Sequence, residues 1–270
     1  MKLLEVLQRA TGFLEAHGSS SPRLDAELLL SHALGVRRLD LYLQFERPLA
    51  EAELAPYRDL VARRGQGAPV AYLTGRKEFM GLEFEVTPDV LVPNPDTETL
   101  VQRAVEWGRA NPDRRRFADI GTGSGCIAVA VAHYLPAATV DATDISPAAL
   151  AVAARNVAKH DLEQRVRLIE GDLMEPLERV YDAILANLPY VEKAAALPAE
   201  VTAQPAVALY GGPAVVNRLL DQAPPRLAAG GIVLAEIDSA VAGRLRLEGF
   251  KGSRLLKDLG GRDRVLEAWM

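Results

Sequence analysis

The sequence predicts an α/β fold: an open, mostly parallel sheet with helices on both faces, preceded by a small helical bundle and a β-hairpin connector. Two observations predict it. From residue 96 onward, short apolar runs alternate with longer helical patterns, as repeated strand–helix units do. Before residue 78 the apolar spacing is helical throughout, and hairpin-like alternation lies between the two regions. The expected divisions are 1–78 for the helical domain, 79–95 for the hairpin and connector, and 96–270 for the α/β domain.

In the helical part, Leu3, Leu4, Leu7, Ala10 and Leu14 mark one apolar face, and Gly18 is a natural stop. Ser21 then serves as N-cap, with Pro22 at the first helical position and Asp25 in the first turn. Leu24, Leu28, Ala33 and Leu34 trace the expected buried face of this second helix, up to Gly35. Further helices are expected over 39–45 and 50–64. The alternation of Phe79–Met80 and Leu82–Phe84–Val86, broken by Gly81, predicts a short hairpin. Pro88, Pro93 and Pro95 make an extended connector, because residues before proline avoid the helical region. A helix over 96–107 opens the α/β part. Strands are expected at 117–120, 138–143, 165–170, 180–186 and 231–236, and helices at 125–134, 147–160, 213–229 and 239–248. Runs near 253–258 and 263–269 predict an antiparallel hairpin at the sheet edge.

A formal net charge of −5 gives no overall basic field to attract nucleic acid. Residues 1–78 hold eleven Lys/Arg against ten Asp/Glu, so the bundle suits protein contact better than a phosphate backbone. The single cysteine, Cys126, excludes an internal disulfide framework and fits a reducing cytoplasm; it reads as a packing residue. The first residues lack the basic and apolar blocks of a signal peptide. No run of eighteen apolar residues occurs, so no membrane association is expected. His17, His32, His133 and His160 are scattered without metal spacing, so no metal is expected. Arg114-Arg115-Arg116 reads as a solvated basic run.

The strongest local signal is ADIGTGSGCIAVAVA, residues 118–132. An apolar strand ends at Ile120, and Gly121, Gly123 and Gly125 lead into an Ala/Val-rich helix with free N–H groups at its start. The spacing is G-x-G-x-G, whereas the dinucleotide fingerprint needs a glycine at position 126. The next strand ends at Asp144, whose carboxylate can accept both hydroxyls of a ribose. The following one ends at Gly171-Asp172, where an acid and the Leu173 N–H can read an adenine edge. These groups fall at the carboxyl ends of successive strands, where open α/β sheets bind ligands, and together they predict a nucleoside cofactor. The arrangement resembles class I S-adenosylmethionine methyltransferases over residues 96–270.

After the fourth strand comes Asn187-Leu188-Pro189-Tyr190. An amide or aromatic amine nitrogen is a poor nucleophile because its lone pair is delocalised. The site must align that nitrogen with the methyl–sulfonium bond and accept hydrogen bonds from both its N–H groups. The Asn187 side-chain oxygen and the Leu188 carbonyl can supply those acceptors. Pro189 holds Leu188 extended, and Tyr190 offers an aromatic face. No general base is needed before transfer, since the product cation loses its proton readily.

Asn-Leu-Pro-Tyr resembles the Asn-Pro-Pro-Tyr pattern of amino- and amide-methylating enzymes, and also the variant in adenine dimethyltransferases of ribosomal RNA. PVAYLTGRKEFMGLEFEV and LVPNPDTETLV (within 69–101) resemble the connector of the peptide chain release factor N5-glutamine methyltransferases, the HemK/PrmC type. SPRLDAELLLSHALGV resembles that family's N-terminal domain, EVTAQPAVALYGG its loop after the catalytic motif, and LAEI with DLGGRDRVLEAW its closing strands. The resemblance covers nearly the whole chain. It implies a class I methyltransferase domain and an N-terminal substrate-recognition bundle. It implies S-adenosylmethionine as cofactor, S-adenosylhomocysteine as product, and no metal. Cofactor contacts are implied at Gly121, Thr122, Gly123, Ser124, Gly125, Asp144, Asp172, Leu173 and Asn187, and catalytic roles for Asn187, Leu188, Pro189 and Tyr190. The implied substrate is the glutamine of the Gly-Gly-Gln loop of class I release factors, met in the cytoplasm by a monomer that binds no nucleic acid directly. The chain departs from the family at Asn94, where Arg is usual, at Leu188, where Pro is usual, and at Gln204, where Glu is usual. Two other readings stay open: an N6-adenine or similar methyltransferase acting on nucleic acid, and a non-catalytic cofactor-binding adaptor.

Overall fold

The computed structural model describes residues 1–192, 197–258 and 260–270, which divide into two compact units. In chain order the elements begin with α1 (Leu3–Ala16), α2 (Pro22–Leu34), α3 (Arg38–Tyr42), α4 (Glu51–Gly65) and α5 (Val70–Thr74). A hairpin follows, β1 (Arg76–Phe79) and β2 (Leu82–Glu85). Then come α6 (Pro95–Ala110), β3 (Arg116–Ile120), α7 (Cys126–Tyr134), β4 (Thr139–Asp144), α8 (Pro147–Lys159), β5 (Val166–Glu170) and β6 (Tyr181–Ala186). The last group is α9 (Ala199–Thr202), α10 (Ala206–Leu209), α11 (Gly212–Gln222), β7 (Leu227–Glu236), α12 (Ser239–Ala242), β8 (Gly252–Lys257) and β9 (Asp263–Trp269).

The first unit joins Met1–Arg76 to the segment Leu197–Ala203. Leu3, Val6, Leu7, Ala10 and Leu14 of α1 pack with Ala26, Leu29 and Leu30 of α2 and with Leu54, Tyr57, Leu60 and Val61 of α4. The α2 face differs from the expected one: Leu24 is exposed, and Leu28, Ala33 and Leu34 are only half-buried. The cause is polar. Asp25 and Glu27 are drawn inside by partners, which rotates the apolar stripe toward Ala26, Leu29 and Leu30. Buried Arg64 donates from Nε to Asp25 at 2.7 Å and pairs with Glu200 at 2.6 Å. Glu27 accepts from Arg23 at 2.6 Å and from the Tyr42 hydroxyl at 2.7 Å. Buried charges persist only with such partners.

The second unit, Lys77–Ala196 with Gln204–Met270, is built on one seven-stranded sheet. Its sheet runs β5-β4-β3-β6-β7-β9-β8, with β3 to β7 parallel and β9 antiparallel to both β7 and β8. One face buries Leu100, Val101 and Trp107 of α6, Ile127 and Val131 of α7, and Val157 of α8. The other buries Val216, Leu219 and Leu220 of α11 against Ile120, Ile184 and Val233. Both faces being covered, β6 (YDAILA) is buried at every residue, as its continuous run requires. The hairpin packs on this unit through Phe79 and Phe84, and Asn156 of α8 bonds both the N–H and the carbonyl of Glu85.

Two expected helices are shorter than the periodicity suggests. The one placed at 213–229 ends at Gln222, because Pro224-Pro225 cannot continue it, and β7 already begins at Leu227. The one placed at 239–248 spans only Ser239–Ala242; Leu245, Leu247 and Phe250 pack against the core without helical hydrogen bonding along their length. Arg114 is also less solvated than expected. It donates to Asp182 at 3.2 Å and to the Ala229 carbonyl at 2.7 Å, while the other Asp182 oxygen caps the N–H groups of Arg115 and Arg116. Among the described residues no helix is long and apolar enough to cross a membrane.

Candidate active site

A cavity of about 290 Å³ opens at the carboxyl ends of β3, β4, β5 and β6. It is lined by Gly121–Ser124, Asp144, Asp172, Leu173 and Asn187–Pro189, among others. Gly125 and Tyr190 are not part of this lining; Gly125 is the left-handed N-cap of α7. The Gly loop is pinned from below: the N–H groups of Gly121 and Thr122 donate to the Thr143 carbonyl at 2.9 and 2.8 Å. Gly121 has φ 73°, a conformation that favours glycine, and a Cβ there would press on the tip of Leu188 at 2.9 Å. The helix start is less free than expected, since the Ala128 N–H is already taken by Asp119.

Asp119 is fully buried. Its Oδ2 accepts from the Thr122 hydroxyl at 2.6 Å and from Ala128 N–H at 3.1 Å, while Oδ1 has no hydrogen-bond partner. Burial raises its carboxyl to about 7, against the two hydrogen bonds that lower it. The folded chain therefore holds this proton more tightly than the unfolded chain, in which the group titrates near about 3.9. Its contribution to stability is full below that value and is lost as pH rises through about 7. Asp119→Asn keeps an oxygen for Thr122 and Ala128. Between pH 4 and 7 the wild-type melting temperature is expected to fall relative to this variant, and parallel melting curves across that range would refute the assignment.

Asp144 is held by backbone: Oδ2 accepts from Gly123 N–H at 2.8 Å and Oδ1 from Ser146 N–H at 2.9 Å. Each oxygen keeps further acceptor capacity, and Asp144 lines the cavity. Asp172 accepts from Arg218 of α11 at 2.7 Å through Oδ2. Leu173 sits at φ 50°, an uncommon conformation for a non-glycine residue, and Thr143 Oγ1 donates to its carbonyl at 2.9 Å. Cys126 is buried and its thiol is pushed up to about 12, so it packs without being activated.

Asn187 follows β6 directly. Its Nδ2 donates to Thr97 Oγ1 at 2.9 Å, and Thr97 donates in turn to Glu236 Oε2 at 2.5 Å. Tyr190 is half-buried, and its hydroxyl donates to Glu236 Oε1 at 3.1 Å. Burial pushes this phenol well above its ordinary range, so it stays protonated. Behind the motif, Val191 N–H donates to Leu209 O at 3.1 Å and Gly211 N–H to Val191 O at 3.2 Å. These bonds lay part of the 204–212 segment beside the Asn187–Tyr190 turn. Among the described residues no group of three or more His, Cys, Asp or Glu is placed to hold a metal ion.

Two family models match the chain: "PrmC N-terminal domain" over residues 5–75 and "Methyltransferase small domain" over residues 97–248. A protein of Moorella thermoacetica named "Release factor glutamine methyltransferase" is 43% identical over 281 residues, covering 100% of this chain and 99% of that protein. The chain belongs to the release factor glutamine methyltransferase family. A protein of the same name from Rhodopirellula baltica is 40% identical, covering 98% of this chain and 95% of that protein. Among solved structures, the 16S rRNA N2 G1207 methyltransferase of T. thermophilus, in complex with AdoMet and guanosine, shares the fold. Its TM-score is 0.54 and its identity 20%, over 72% of this chain and 49% of that one. The chain is a methyltransferase.

The three departures from the family pattern have local roles. Asn94 caps α6, its side chain accepting from Asp96 N–H at 3.1 Å, and it also lines the cavity. Gln204 accepts from Val92 N–H at 2.9 Å through its amide oxygen, which needs an acceptor and not a charge. Leu188 is buried against Gly121. Sequence reasoning missed Thr97, Glu236, Arg218 and Gly211. Thr97 and Glu236 lie inside the quoted LVPNPDTETLV and LAEI blocks, but they meet across 139 residues, a separation that carries no local periodicity.

Proposed function

We propose that this methyltransferase transfers the methyl group of S-adenosylmethionine to the side-chain amide nitrogen, N5, of the glutamine in the Gly-Gly-Gln loop of class I release factors. One observation carries the reading. Asn187 is tied by its NH₂ to Thr97, so its remaining polar atom is an acceptor, and it stands beside the Gly loop at the end of β6. A primary amide presents two N–H donors, and Asn187 Oδ1 with the Leu188 carbonyl are the matching acceptors. The names borne by the full-length relatives support the same substrate.

The donor set fits the cofactor. Asp144 would hold the ribose hydroxyls, Asp172 Oδ1 and the Leu173 N–H the adenine edge, and Gly121, Thr122, Gly123, Ser124 and Gly125 would let backbone approach the amino-acid end. Bound there, S-adenosylmethionine supplies an electrophilic methyl on a sulfonium and leaves as neutral S-adenosylhomocysteine. Asn187 and Leu188 accept hydrogen bonds from both N–H groups of the substrate amide, which pushes electron density back onto its nitrogen as positive charge develops. Pro189 keeps Leu188 extended and its carbonyl aimed, while the Tyr190 ring bounds the planar group. The methylated amide cation gives up its proton to water. A neutral leaving group asks for no metal. The bundle of residues 1–78 would recognise the release factor, and the enzyme would work as a cytoplasmic monomer without contacting nucleic acid directly.

The test is transfer of label from S-adenosylmethionine to a purified class I release factor and to its Gln→Ala variant in the Gly-Gly-Gln loop. Label on the former alone is expected. Equal label on both, or label only on added ribosomal RNA, would overturn the reading.

A further inference from the structure

We propose that Thr97 and Glu236 are positioning residues that fix Asn187 with its amide oxygen toward the substrate and its amide nitrogen away from it. The inference rests on the reading of Asn187 as an acceptor and concerns how the fold enforces it. An asparagine amide has two nearly isosteric orientations, and only one of them accepts from a substrate N–H.

Thr97 is buried in the first turn of α6, and Glu236 is buried at the end of β7. A hydroxyl has one hydrogen. At 2.5 Å from Glu236 Oε2, that hydrogen is committed to the carboxylate, in the range of a charge-assisted O–H···O⁻ bond. The Thr97 oxygen is then only an acceptor toward Asn187, 2.9 Å away. Turning the amide over would set two oxygens against each other without a hydrogen between them. Glu236 also accepts from Tyr190, so one carboxylate ties both ends of the Asn187–Tyr190 turn.

The arrangement depends on the charge of Glu236. Protonated, it becomes a donor to Thr97, whose own hydrogen is released toward Asn187 Oδ1, and the amide can reverse. The groups facing Glu236 are Thr97 and Asp96 on α6, Tyr190 on the catalytic turn and Arg264 on β9. Arg264 pairs with Asp96 at 3.1 Å and with Asp258 at 3.6 Å, and Asp238 acts on Tyr190. Burial raises the Glu236 carboxyl, opposed by the Thr97 and Tyr190 hydrogen bonds and by Arg264, while Asp96 adds to the rise. The ionised form aims Asn187, so turnover falls as pH drops through this raised value.

The test compares Thr97→Val, Thr97→Ser and Glu236→Gln by kcat, release-factor KM, cofactor Kd and the pH profile of kcat. Thr97→Val is expected to lower kcat by about 10- to 100-fold with cofactor Kd within about threefold, and Thr97→Ser to restore most of it. Glu236→Gln is expected to be slow and to lack the acid limb seen in the wild type. A readout independent of substrate is the Asn187 side-chain NH₂ signal in ¹⁵N-labelled enzyme, identified by its loss in Asn187→Ala. It should be protected from exchange in the wild type, lose protection in Thr97→Val, and shift along the same acid limb. Wild-type kcat in Thr97→Val, an unchanged acid limb in Glu236→Gln, or an Asn187 signal indifferent to Thr97 would each overturn the proposal. A wild-type enzyme that methylates no release factor would instead overturn the substrate reading, and the Asn187 signal would still decide this one.

Discussion

Asn187→Ala is expected to lower kcat for release-factor methylation by roughly 10²- to 10³-fold, the loss typical of one preorganised hydrogen bond to a developing charge. The side chain has no general-base task, so the loss should be independent of pH above the acid limb set by Glu236 and should shrink along that limb, where the wild type itself loses the aimed amide. It removes one of two acceptors, leaving the Leu188 carbonyl to hold a single substrate N–H. The freed second N–H leaves the amide resonance undisturbed on that side, and the nitrogen stays a poor nucleophile. Binding of the release factor depends on a much larger surface, so its KM should move far less than kcat, the signature of an interaction that strengthens in the transition state. The variant also leaves the Thr97 hydroxyl without its Asn187 partner, although Glu236 still holds the hydroxyl hydrogen. Single-turnover rates with saturating cofactor would separate chemistry from binding. A kcat within about threefold of wild type would remove Asn187 from the catalytic role.

The parts of this site that were legible in the sequence are those whose chemistry and position are both local. Gly121, Gly123 and Gly125 follow a strand within five residues, and all three adopt positive φ in the fold. Asp144 sits at a strand end, and its two backbone partners, Gly123 and Ser146, belong to the turns that strand–loop–helix units bring there. The edge hairpin was readable as two short runs near 253–258 and 263–269, although burial alternates along neither β8 nor β9. What was not legible depends on partners far apart in the chain. The face of α2 follows Arg64, 39 residues from Asp25, and an apolar count has no means of anticipating a buried ion pair. The length of α11 is a contest between periodicity and Pro224-Pro225, in which proline sterics prevail. Arg218 reaches Asp172 across 46 residues, so this carboxylate acquires a cation that its own loop does not supply.

Gly211→Ala tests the brace behind the catalytic turn, and its effect should fall on chemistry. Gly211 has φ −154° and ψ −24°, outside the well-populated β and α regions, so the substitution adds backbone strain of its own. Space is the tighter constraint. A Cβ at this position would lie 2.4 Å from the Pro189 carbonyl oxygen and 2.7 Å from Val215 Cγ2. Val215 can change rotamer, but the Pro189 carbonyl is main chain, and relieving the clash moves the Pro189–Tyr190 peptide, the neighbour of the one that carries the Leu188 acceptor. A displacement of about 1 Å in a reacting geometry costs on the order of 100-fold in rate, so kcat should fall by about that factor. Cofactor affinity should hold within a few-fold, because Asp144 and the Gly loop are braced by Thr143 and Ser146, away from Gly211. Gly212 supplies the contrast. Its φ is 60°, yet a Cβ there would come no closer than 3.8 Å to Glu192 Cγ. Gly212→Ala should therefore cost about 1 kcal/mol of stability from the left-handed conformation, with a smaller loss of kcat. Thermal melts and single-turnover rates on the two variants read the two effects separately. If Gly211→Ala turned over like the wild type, or if both variants lost rate equally, the 204–212 segment would be a covering loop with no part in holding the acceptors.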